Sequence, residues 1–346
     1  MKVPQLATNL IGSFPLTDNT ANFKKAIDDQ FNAGLDYVSY PQLADMNEMF
    51  LDPTVDGHSF RREGKKFVAN EDFEPRVTKE VRRWVEDAHD ILRRKNRFVP
   101  LRACVTGPFT LASAVSVEGL PQRPFPLGYV EMLVEQPWLL ERLTRYVRKI
   151  ASAYSELSEM VSIDEPFLSV LVGRRKNLLE LRTSKSEASE IILEALDEAA
   201  GGIRTVASTH VCGTISPQLA ELLLETDFQV LSHEFSNIER NYESYPPEEL
   251  EGYSKILSVG VVSTKPVDTP DGVEPVDTIE RRMLFAVNRY GPDAVIFSPD
   301  CGFRQLLSML GEERGYNLTM NKIKNLVQAK KSVGVRLGLV TQEKER

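Results

Sequence analysis

The chain has 346 residues, of which 42% are hydrophobic and 27% are charged, so its composition is that of an ordinary soluble folded protein. Its net charge of −8 at pH 7 argues against nucleic acid or an anionic membrane as the partner. No apolar run approaches the roughly 20 residues of a membrane span, and the first residues carry no signal-peptide core; we therefore expect a cytoplasmic protein.

Short apolar, β-branched runs alternate with longer amphipathic segments along the chain, which is the pattern of parallel α/β structure. Eight runs are predicted as strands, at residues 6–14, 36–40, 98–106, 160–166, 205–212, 230–235, 256–262 and 294–299. Helices are predicted between them, at residues 17–33, 74–95, 136–159, 186–200, 216–226, 275–289 and 318–333. Eight strand–helix units predict a (β/α)8 TIM barrel.

Two stretches stand outside this repeat. Residues 41–74 are polar and mixed in charge, and are predicted as a long loop inserted after the second strand. Residues 120–128 contain three prolines and are predicted as a rigid loop after the third strand. Both follow carboxyl ends of strands, where barrel active sites lie. Because no repeat, low-complexity segment or linker interrupts the chain, we predict a single catalytic domain over residues 1–346.

The predicted strands end in polar or ionisable residues, on the barrel face where side chains from different strands converge. In chain order these strand ends are Gly12-Ser13, Tyr40 to Gln42, Thr106-Gly107, Asp164-Glu165, His210 with Cys212, Glu234, Ser263 to Lys265, and Asp300-Cys301. This regularity supports the barrel and marks where a site would form.

One metal-ligand pattern stands out among these strand ends. His210 and Cys212 are two residues apart, so in an extended strand their side chains point the same way. Glu234 and Cys301 follow later strands, and one His, two Cys and one Glu make a tetrahedral zinc set. The competing interpretation is that the cysteines are small buried hydrophobic residues and His210 a hydrogen-bonded core histidine. Three cysteines in all argue against a disulfide framework.

A sulfur-ligated zinc at a barrel mouth suits one kind of chemistry, in which the metal binds a thiol substrate, lowers its pKa and presents it as a nucleophile. Asp164 and Glu165 end the fourth strand, and because neighbouring strand residues face opposite sides, only one carboxylate should face the site; we expect it to be Asp164. Ile11, Gly12 and Ser13 could offer backbone amides and a hydroxyl to a carboxylate, although they also fit an ordinary strand–turn.

Several short motifs in order resemble the catalytic barrel of the cobalamin-independent methionine synthase family. The resemblance covers residues 6–335, and the spacing from Cys212 to Glu234 agrees with that of the family. The motifs are Ile11-Gly-Ser-Phe-Pro15, Val105-Thr-Gly-Pro108, Ile163-Asp-Glu-Pro166, Thr209-His-Val-Cys-Gly213, Glu234, Gly260-Val-Val262 and Pro299-Asp-Cys-Gly302.

This resemblance implies a function and a role for each site residue. The zinc ligands would be His210, Cys212, Glu234 and Cys301. Zinc would hold homocysteine as a thiolate, which attacks a methyl group in line and gives methionine. The backbone at Ile11 and Gly12, together with Ser13, would hold the substrate carboxylate, and Asp164 would bind its ammonium group.

The chain departs from the long members of the family, which resemble two fused barrels, because it carries only the catalytic one. The missing barrel helps to form the folate site of the long enzymes. Short single-barrel relatives are thought to take the methyl group from a corrinoid protein or methylcobalamin. Methylcobalamin, a corrinoid protein and methyltetrahydrofolate therefore all remain candidate donors.

Two site positions also differ from those of the long enzymes. A substrate-binding glutamate after the second strand is missing, and Gln42, Asp45 or Glu48 would have to replace it. The long enzymes carry Asp-x-His after the seventh strand, where this chain reads Ser263-Thr-Lys265. Lys265 could protonate a leaving group only if burial or nearby zinc lowers its pKa, and a corrinoid donor would not need that acid.

Three other functions remain open from the sequence. A corrinoid-dependent methyltransferase acting on another thiol would share the His-x-Cys and late-Cys pattern. A uroporphyrinogen-decarboxylase-like lyase would share the barrel, but its N-terminal arginines are absent, since the first 23 residues here contain none. A non-enzymatic barrel with a structural zinc would hold the metal in a closed site that binds no thiol.

Overall fold

The structure is a computed structural model that describes residues 3–64, 66–121, 123–173 and 176–339, so the ends of the predicted domain, 1–2 and 340–346, lie outside it. The strands in these ranges are β1 Val38–Ser39, β2 Phe60–Glu63, β3 Lys66–Ala69, β4 Leu101–Thr106, β5 Val115–Val117, β6 Met160–Asp164, β7 Val206–Val211, β8 Val230–Glu234, β9 Ile256–Val262 and β10 Val295–Pro299.

The helices in the same ranges include short one-turn elements as well as long outer-layer ones. They are α1 Thr20–Ala33, α2 Met46–Leu51, α3 Lys79–Arg93, α4 Pro108–Ser113, α5 Leu127–Glu135, α6 Pro137–Ser155, α7 Leu168–Leu171, α8 Lys185–Ala200, α9 Pro217–Glu225, α10 Pro247–Gly252, α11 Val276–Tyr290, α12 Gln305–Leu310 and α13 Glu312–Arg336. Short 3-10 helices cover Asp52–Thr54, Leu178–Leu181 and Glu239–Ser244.

Seven parallel strands form one sheet in the order β1-β4-β6-β7-β8-β9-β10. Residues 7–14 connect its two edges: the Asn9 amide donates to Phe297 O (3.0 Å), and the Tyr37 amide donates to Thr8 O (3.0 Å). The sheet therefore curls into a closed ring, which confirms the predicted α/β barrel. Residues 7–14 make single bridges rather than a regular strand, because Gly12 has φ +127° and interrupts the extended backbone.

Residues 41–74 differ from the predicted long loop because they contain α2, a 3-10 turn and the β2–β3 hairpin. The hairpin pairs with β5 in a separate three-stranded sheet. Phe60 stacks on Phe67 and Phe73, with ring centroids 5.4 Å and 4.2 Å apart, and all three are buried. These three widely spaced phenylalanines supply a small core in a segment whose overall polarity indicated a loop. Likewise, α5 begins within the predicted loop at residues 120–128.

The barrel interior carries a layer of small hydroxyl side chains from successive strands. Ser162 pairs with Ser208, and Ser232 pairs with Ser258, at matched positions of neighbouring strands. The Ser258 hydroxyl donates to Ser298 Oγ (3.2 Å) and accepts from Asn9 Nδ2 (3.1 Å), so these groups are hydrogen-bonded. In the part of the chain that the structure describes, no helix combines the length and apolar character needed to cross a membrane.

Candidate metal and substrate site

Three of the four predicted metal ligands converge at the carboxyl edge of the barrel. His210 lies at the end of β7, Cys212 directly follows it, and Cys301 follows β10. His210 Nε2 is 3.0 Å from Cys212 Sγ, which is 3.0 Å from Cys301 Sγ, and the three ligand atoms all lie within 4.8 Å of one another. One imidazole nitrogen and two sulfurs in mutual reach match the ligand chemistry of zinc, so these residues fit that metal.

Glu234, the fourth predicted ligand, ends β8 beside this group but is not part of the three-residue cluster. Its Oε1 accepts a hydrogen bond from the Gly213 amide (2.8 Å), one residue after Cys212. Burial raises the pKa of this carboxyl, and the Gly213 bond opposes that rise. Glu234 therefore lies next to the cluster, with its second carboxylate oxygen free of hydrogen bonds within the described residues.

Buried polar side chains fix the ligand-bearing segments. The hydroxyl of Ser232 lies 3.1 Å from His210 Nδ1, which leaves Nε2 facing the sulfurs. Asp300, directly before Cys301, accepts bonds from the amides of Phe235 (3.0 Å), Ser236 (2.9 Å) and Asn237 (3.1 Å) and from the Ser236 hydroxyl (2.6 Å). These bonds connect the loop after Glu234 to the loop that carries Cys301.

The two cysteines differ in acidity. Hydrogen bonds from the Cys212 thiol and from His210 hold the pKa of Cys301 well below its ordinary value, against the effect of burial. The same contact, together with burial, raises the pKa of Cys212. Burial lowers the pKa of His210, but its bond to Cys301 outweighs this and raises it. The contact between the two sulfurs thus favours a thiolate within the pair, and a thiolate is the form that binds metal.

The two adjacent carboxylates at the end of β6 face opposite ways, as the alternation of strand side chains predicts. Asp164 faces the barrel interior, pairs in register with His210, and accepts a 2.6 Å bond from the Ser162 hydroxyl. Glu165 instead accepts bonds from the amides of Phe109 (2.8 Å) and Thr110 (2.9 Å), at the first turn of α4. Burial raises the pKa of Glu165 to about 7. Glu165 therefore caps a helix, whereas Asp164 lies beside His210 on the next strand.

Asp164 has a cationic neighbour, Arg102, that was not predicted from the sequence. Arg102 on β4 is only 1% exposed, and its Nη2 lies 3.6 Å from Asp164 Oδ1. Burial raises the pKa of Asp164, and the nearby guanidinium opposes that rise. The sequence did contain a signal for this contact. Arg102 is a charged residue inside an otherwise apolar strand, and such a residue is rarely buried without a partner.

The remaining predicted substrate residues lie around the bend at Gly12. The Gln42 amide donates to Gly12 O (2.9 Å), while the Gln42 side chain is 3% exposed and its Nε2 has no hydrogen-bond partner within the described residues. Ser13 packs against Gly302, where a Cβ would collide with the Ser13 hydroxyl. The segment 11–13 is thus in contact with the loop that carries Cys301.

Lys265 lies in the loop after β9, and its side chain is exposed. Its backbone amide donates to Ser263 Oγ (3.2 Å). Lys265 could act as a proton donor only if it were buried or close to zinc. The structure does not meet the first of these two conditions.

The chain is similar to proteins of known activity along almost its whole length. A family profile described as the catalytic domain of cobalamin-independent synthase matches residues 147–332, more than half of the chain. A methionine synthase from Methanocaldococcus jannaschii is 24% identical over 95% of this chain and 100% of its own length. One from Methanothermobacter thermautotrophicus is 25% identical over 94% of this chain and 99% of its own length.

Solved structures share the fold. A B12-independent methionine synthase from a Shewanella species, in complex with selenomethionine, superposes with a TM-score of 0.69 at 16% identity and covers 97% of this chain and 100% of its own. A methyltransferase from Methanosarcina mazei superposes with a TM-score of 0.65 at 17% identity, over 95% of this chain and 94% of its own.

Proposed function

This chain belongs to the family of cobalamin-independent methionine synthase catalytic domains, and from that membership we propose that it methylates the sulfur of homocysteine at a zinc site. It is a methyltransferase of methionine synthesis. The observation that carries the zinc proposal is the convergence of His210, Cys212 and Cys301 within 4.8 Å. Bound zinc would act as a Lewis acid that lowers the pKa of a thiol held beside it.

In this proposal Glu234 is the fourth metal ligand. Its Oε2 is available for that role while Oε1 keeps its bond to the Gly213 amide. The hydroxyl of Ser232 holds the His210 ring, and Asp300 holds the loop before Cys301, so the protein sets the positions of the ligands before the substrate arrives.

The substrate's amino-acid group would bind to residues from different parts of the barrel's carboxyl edge. The Asp164 carboxylate receives the ammonium group, and the Ser13 hydroxyl with the Gly12 and Ser13 amides receives the carboxylate. Gln42 Nε2, buried and without a partner in the described residues, supplies a further donor. These contacts hold the sulfur in one orientation, and such positioning is a major source of catalytic rate in a bimolecular displacement.

In the reaction a bond forms between sulfur and the methyl carbon, while the bond from that carbon to the donor breaks and its electron pair leaves with the donor. The donor is methylcobalamin, a corrinoid protein or methyltetrahydrofolate. A folate leaving group needs a proton, and Lys265 is the candidate source, although its side chain is exposed. A corrinoid donor needs no proton, so the exposure of Lys265 favours the corrinoid. We propose that the reaction takes place in the cytoplasm, where free cysteines stay reduced.

Methionine formation by zinc-loaded protein tests this proposal, with homocysteine as acceptor and methylcobalamin or methyltetrahydrofolate as donor in parallel reactions. We expect turnover with methylcobalamin. Turnover with the folate alone would instead make Lys265 the proton donor, and Lys265→Ala should then lose activity. A zinc-loaded protein that methylates another thiol but not homocysteine would contradict the proposal.

A second experiment tests the role of Asp164. Asp164→Asn should raise the KM for homocysteine and leave the zinc content of the protein unchanged, because its carboxylate is assigned to the ammonium group rather than to the metal. Homocysteine kinetics and metal analysis on the same preparation measure both. Equal loss of zinc and of homocysteine binding would show that Asp164 supports the metal.

A further inference from the structure

The carbonyl of Ile11 is held by two buried side chains of β4. Arg102 Nη1 donates to it at 2.7 Å, and the Cys104 thiol donates to it at 2.9 Å. The neighbouring peptides are held differently, since Gly12 O and Phe14 N both bond to the backbone of Gln42. At Ile11, therefore, two side chains replace the backbone bond that a regular strand would provide.

This arrangement buries a charged side chain, which lowers the stability of the fold unless the charge is paired. Arg102 is 1% exposed, and burying a guanidinium costs several kcal/mol unless it is paired. Its pairing is incomplete: Nη2 lies 3.6 Å from Asp164 Oδ1 and has no hydrogen-bond partner within the described residues. Arg102 is thus the link between the first barrel segment and the end of β6.

The direction of the Ile11 carbonyl fixes the direction of the next amide. A trans peptide is planar, so the N–H of Gly12 points away from the Ile11 oxygen and hence away from Arg102. The amides of Gly12 and Ser13 donate no hydrogen bond to any acceptor in the described part of the chain. Gly12 has φ +127°, and a Cβ there would lie 2.9 Å from Cys104 Sγ, so the bend is restricted to glycine. Successive free amides at such a bend form an anion-binding concavity.

We propose that Arg102, assisted by Cys104, is a positioning residue that turns the Ile11–Gly12 peptide so that the Gly12 and Ser13 amides face the substrate carboxylate. It thereby makes the enzyme specific for a thiol that is also an amino acid. This inference rests on the proposed function, because it concerns how the same site recognises homocysteine. Arg102 acts through the backbone and does not itself contact the substrate.

The test compares two thiols that differ only in the carboxylate, homocysteine and 3-aminopropane-1-thiol. Binding of each to the zinc-loaded protein is measured by calorimetry, with steady-state kinetics wherever the wild type turns the thiol over. Arg102→Met should weaken homocysteine binding by about 10- to 100-fold, the worth of hydrogen bonds to a charged group. The affinity for 3-aminopropane-1-thiol should change by less than about 3-fold, and kcat should change less than KM. Arg102→Lys should restore part of the loss.

Two controls keep the test decisive. Arg97→Met removes an arginine-to-carbonyl bond elsewhere, from Nη2 to Phe31 O, and should leave both affinities unchanged. If Arg102→Met does not fold, Cys104→Ala, which removes only the weaker donor to Ile11 O, should still weaken homocysteine selectively, by a smaller factor.

The possible results distinguish a failure of the role assigned to Arg102 from a failure of the proposed function. Equal weakening of both thiols would mean that Arg102 acts through Asp164 and the ammonium group, and would overturn the inference. Unchanged homocysteine affinity in Arg102→Met would also overturn it. A wild type that binds zinc but neither thiol would overturn the proposed function and this inference together.

Discussion

A single hydroxyl sets the orientation of the His210 ring. Because Ser232 Oγ lies 3.1 Å from Nδ1, Ser232→Ala should lower zinc affinity by about 10- to 100-fold, the usual effect of losing such a supporting bond. Cys301→Ala, which removes a proposed ligand, should lower it further. Metal competition with a chelating dye measures both, and melting temperatures check the fold.

Ser258→Ala is the matched control, since it removes a hydroxyl from the same interior layer without contacting His210. Equal losses of zinc affinity in the two serine variants would refute the supporting role of Ser232.

The three cysteines should differ in reactivity when zinc is removed. Cys104 is fully buried, and burial raises its pKa to about 12, so its thiol stays protonated and inaccessible. Cys212 and Cys301 are partly exposed. We expect a disulfide reagent to modify two thiols of the native metal-free protein, none of the zinc-loaded protein, and three after unfolding. Rapid modification of Cys104 in the native state would contradict the burial argument.

For individual residues, the sequence predicts those whose role follows from residue type and from position at a strand end. His210, Cys212 and Cys301 could be grouped because soft ligands follow strand ends that meet at one edge. The bond from Glu234 to the Gly213 amide could not be foreseen, since it depends on how two loops fold against each other. Arg102 could not be assigned either, because its partner is a carbonyl exposed by the bend at Gly12.

At the scale of the elements, β9 lies directly against the loop after β10 at Gly260. A Cβ at this position would lie 2.8 Å from both Asp300 Cα and His233 O, and these backbone atoms cannot move aside. Gly260→Ala should therefore lower the free energy of unfolding by about 1–3 kcal/mol, a typical cost of overpacking, and should weaken zinc binding, because Asp300 precedes Cys301. Urea unfolding and metal titration measure the two effects.

Gly252→Ala provides the control for this substitution. Gly252 ends α10, and a Cβ there would meet no atom within 4 Å. Alanine in a helix is favoured over glycine by up to about 1 kcal/mol, so this variant should be unchanged or slightly more stable. A comparable loss of stability in both variants would show that steric conflict at β9 is not the cause.

Elements with a clear hydrophobic periodicity can be predicted from the sequence, whereas elements that form only through tertiary contacts cannot. Strand β9 matches its predicted bounds. Strands β6, β8 and β10 are one or two residues shorter at one end, and β7 is one residue shorter at each end. The first segment fails to form a strand because positive φ at Gly12 interrupts it. The β2–β3 hairpin escaped prediction because Phe60, Phe67 and Phe73 become a cluster only after the chain folds back.

For the molecule as a whole, tyrosine burial predicts how it unfolds in alkali. Burial raises the pKa of nine tyrosines above 10, namely Tyr37, Tyr40, Tyr129, Tyr146, Tyr154, Tyr242, Tyr245, Tyr290 and Tyr316. An acid whose pKa is raised by folding keeps its proton in the native state after the unfolded chain has lost it. The free energy of unfolding therefore falls as pH rises above about 10, by about 1.4 kcal/mol per pH unit for each fully buried tyrosine.

A pH titration of tyrosine absorbance checks this expectation. Ionisation of most tyrosines should coincide with loss of the helical circular dichroism signal in one cooperative step. Gradual ionisation of many tyrosines while the helical signal persists would mean that the side chains are more accessible than their burial indicates.

The separation of the proposed metal ligands along the chain also determines when the site can form in a living cell. Cys212 and Cys301 are 89 residues apart. At synthesis rates of about 5–20 residues per second, Cys212 leaves the ribosome roughly 4 to 18 seconds before Cys301. The incomplete chain therefore displays an unpartnered His-x-Cys pair, open to oxidation or to capture of a foreign metal. If zinc is the resident metal, as proposed, the supply of reduced thiol and of zinc during translation becomes part of how the active enzyme is made.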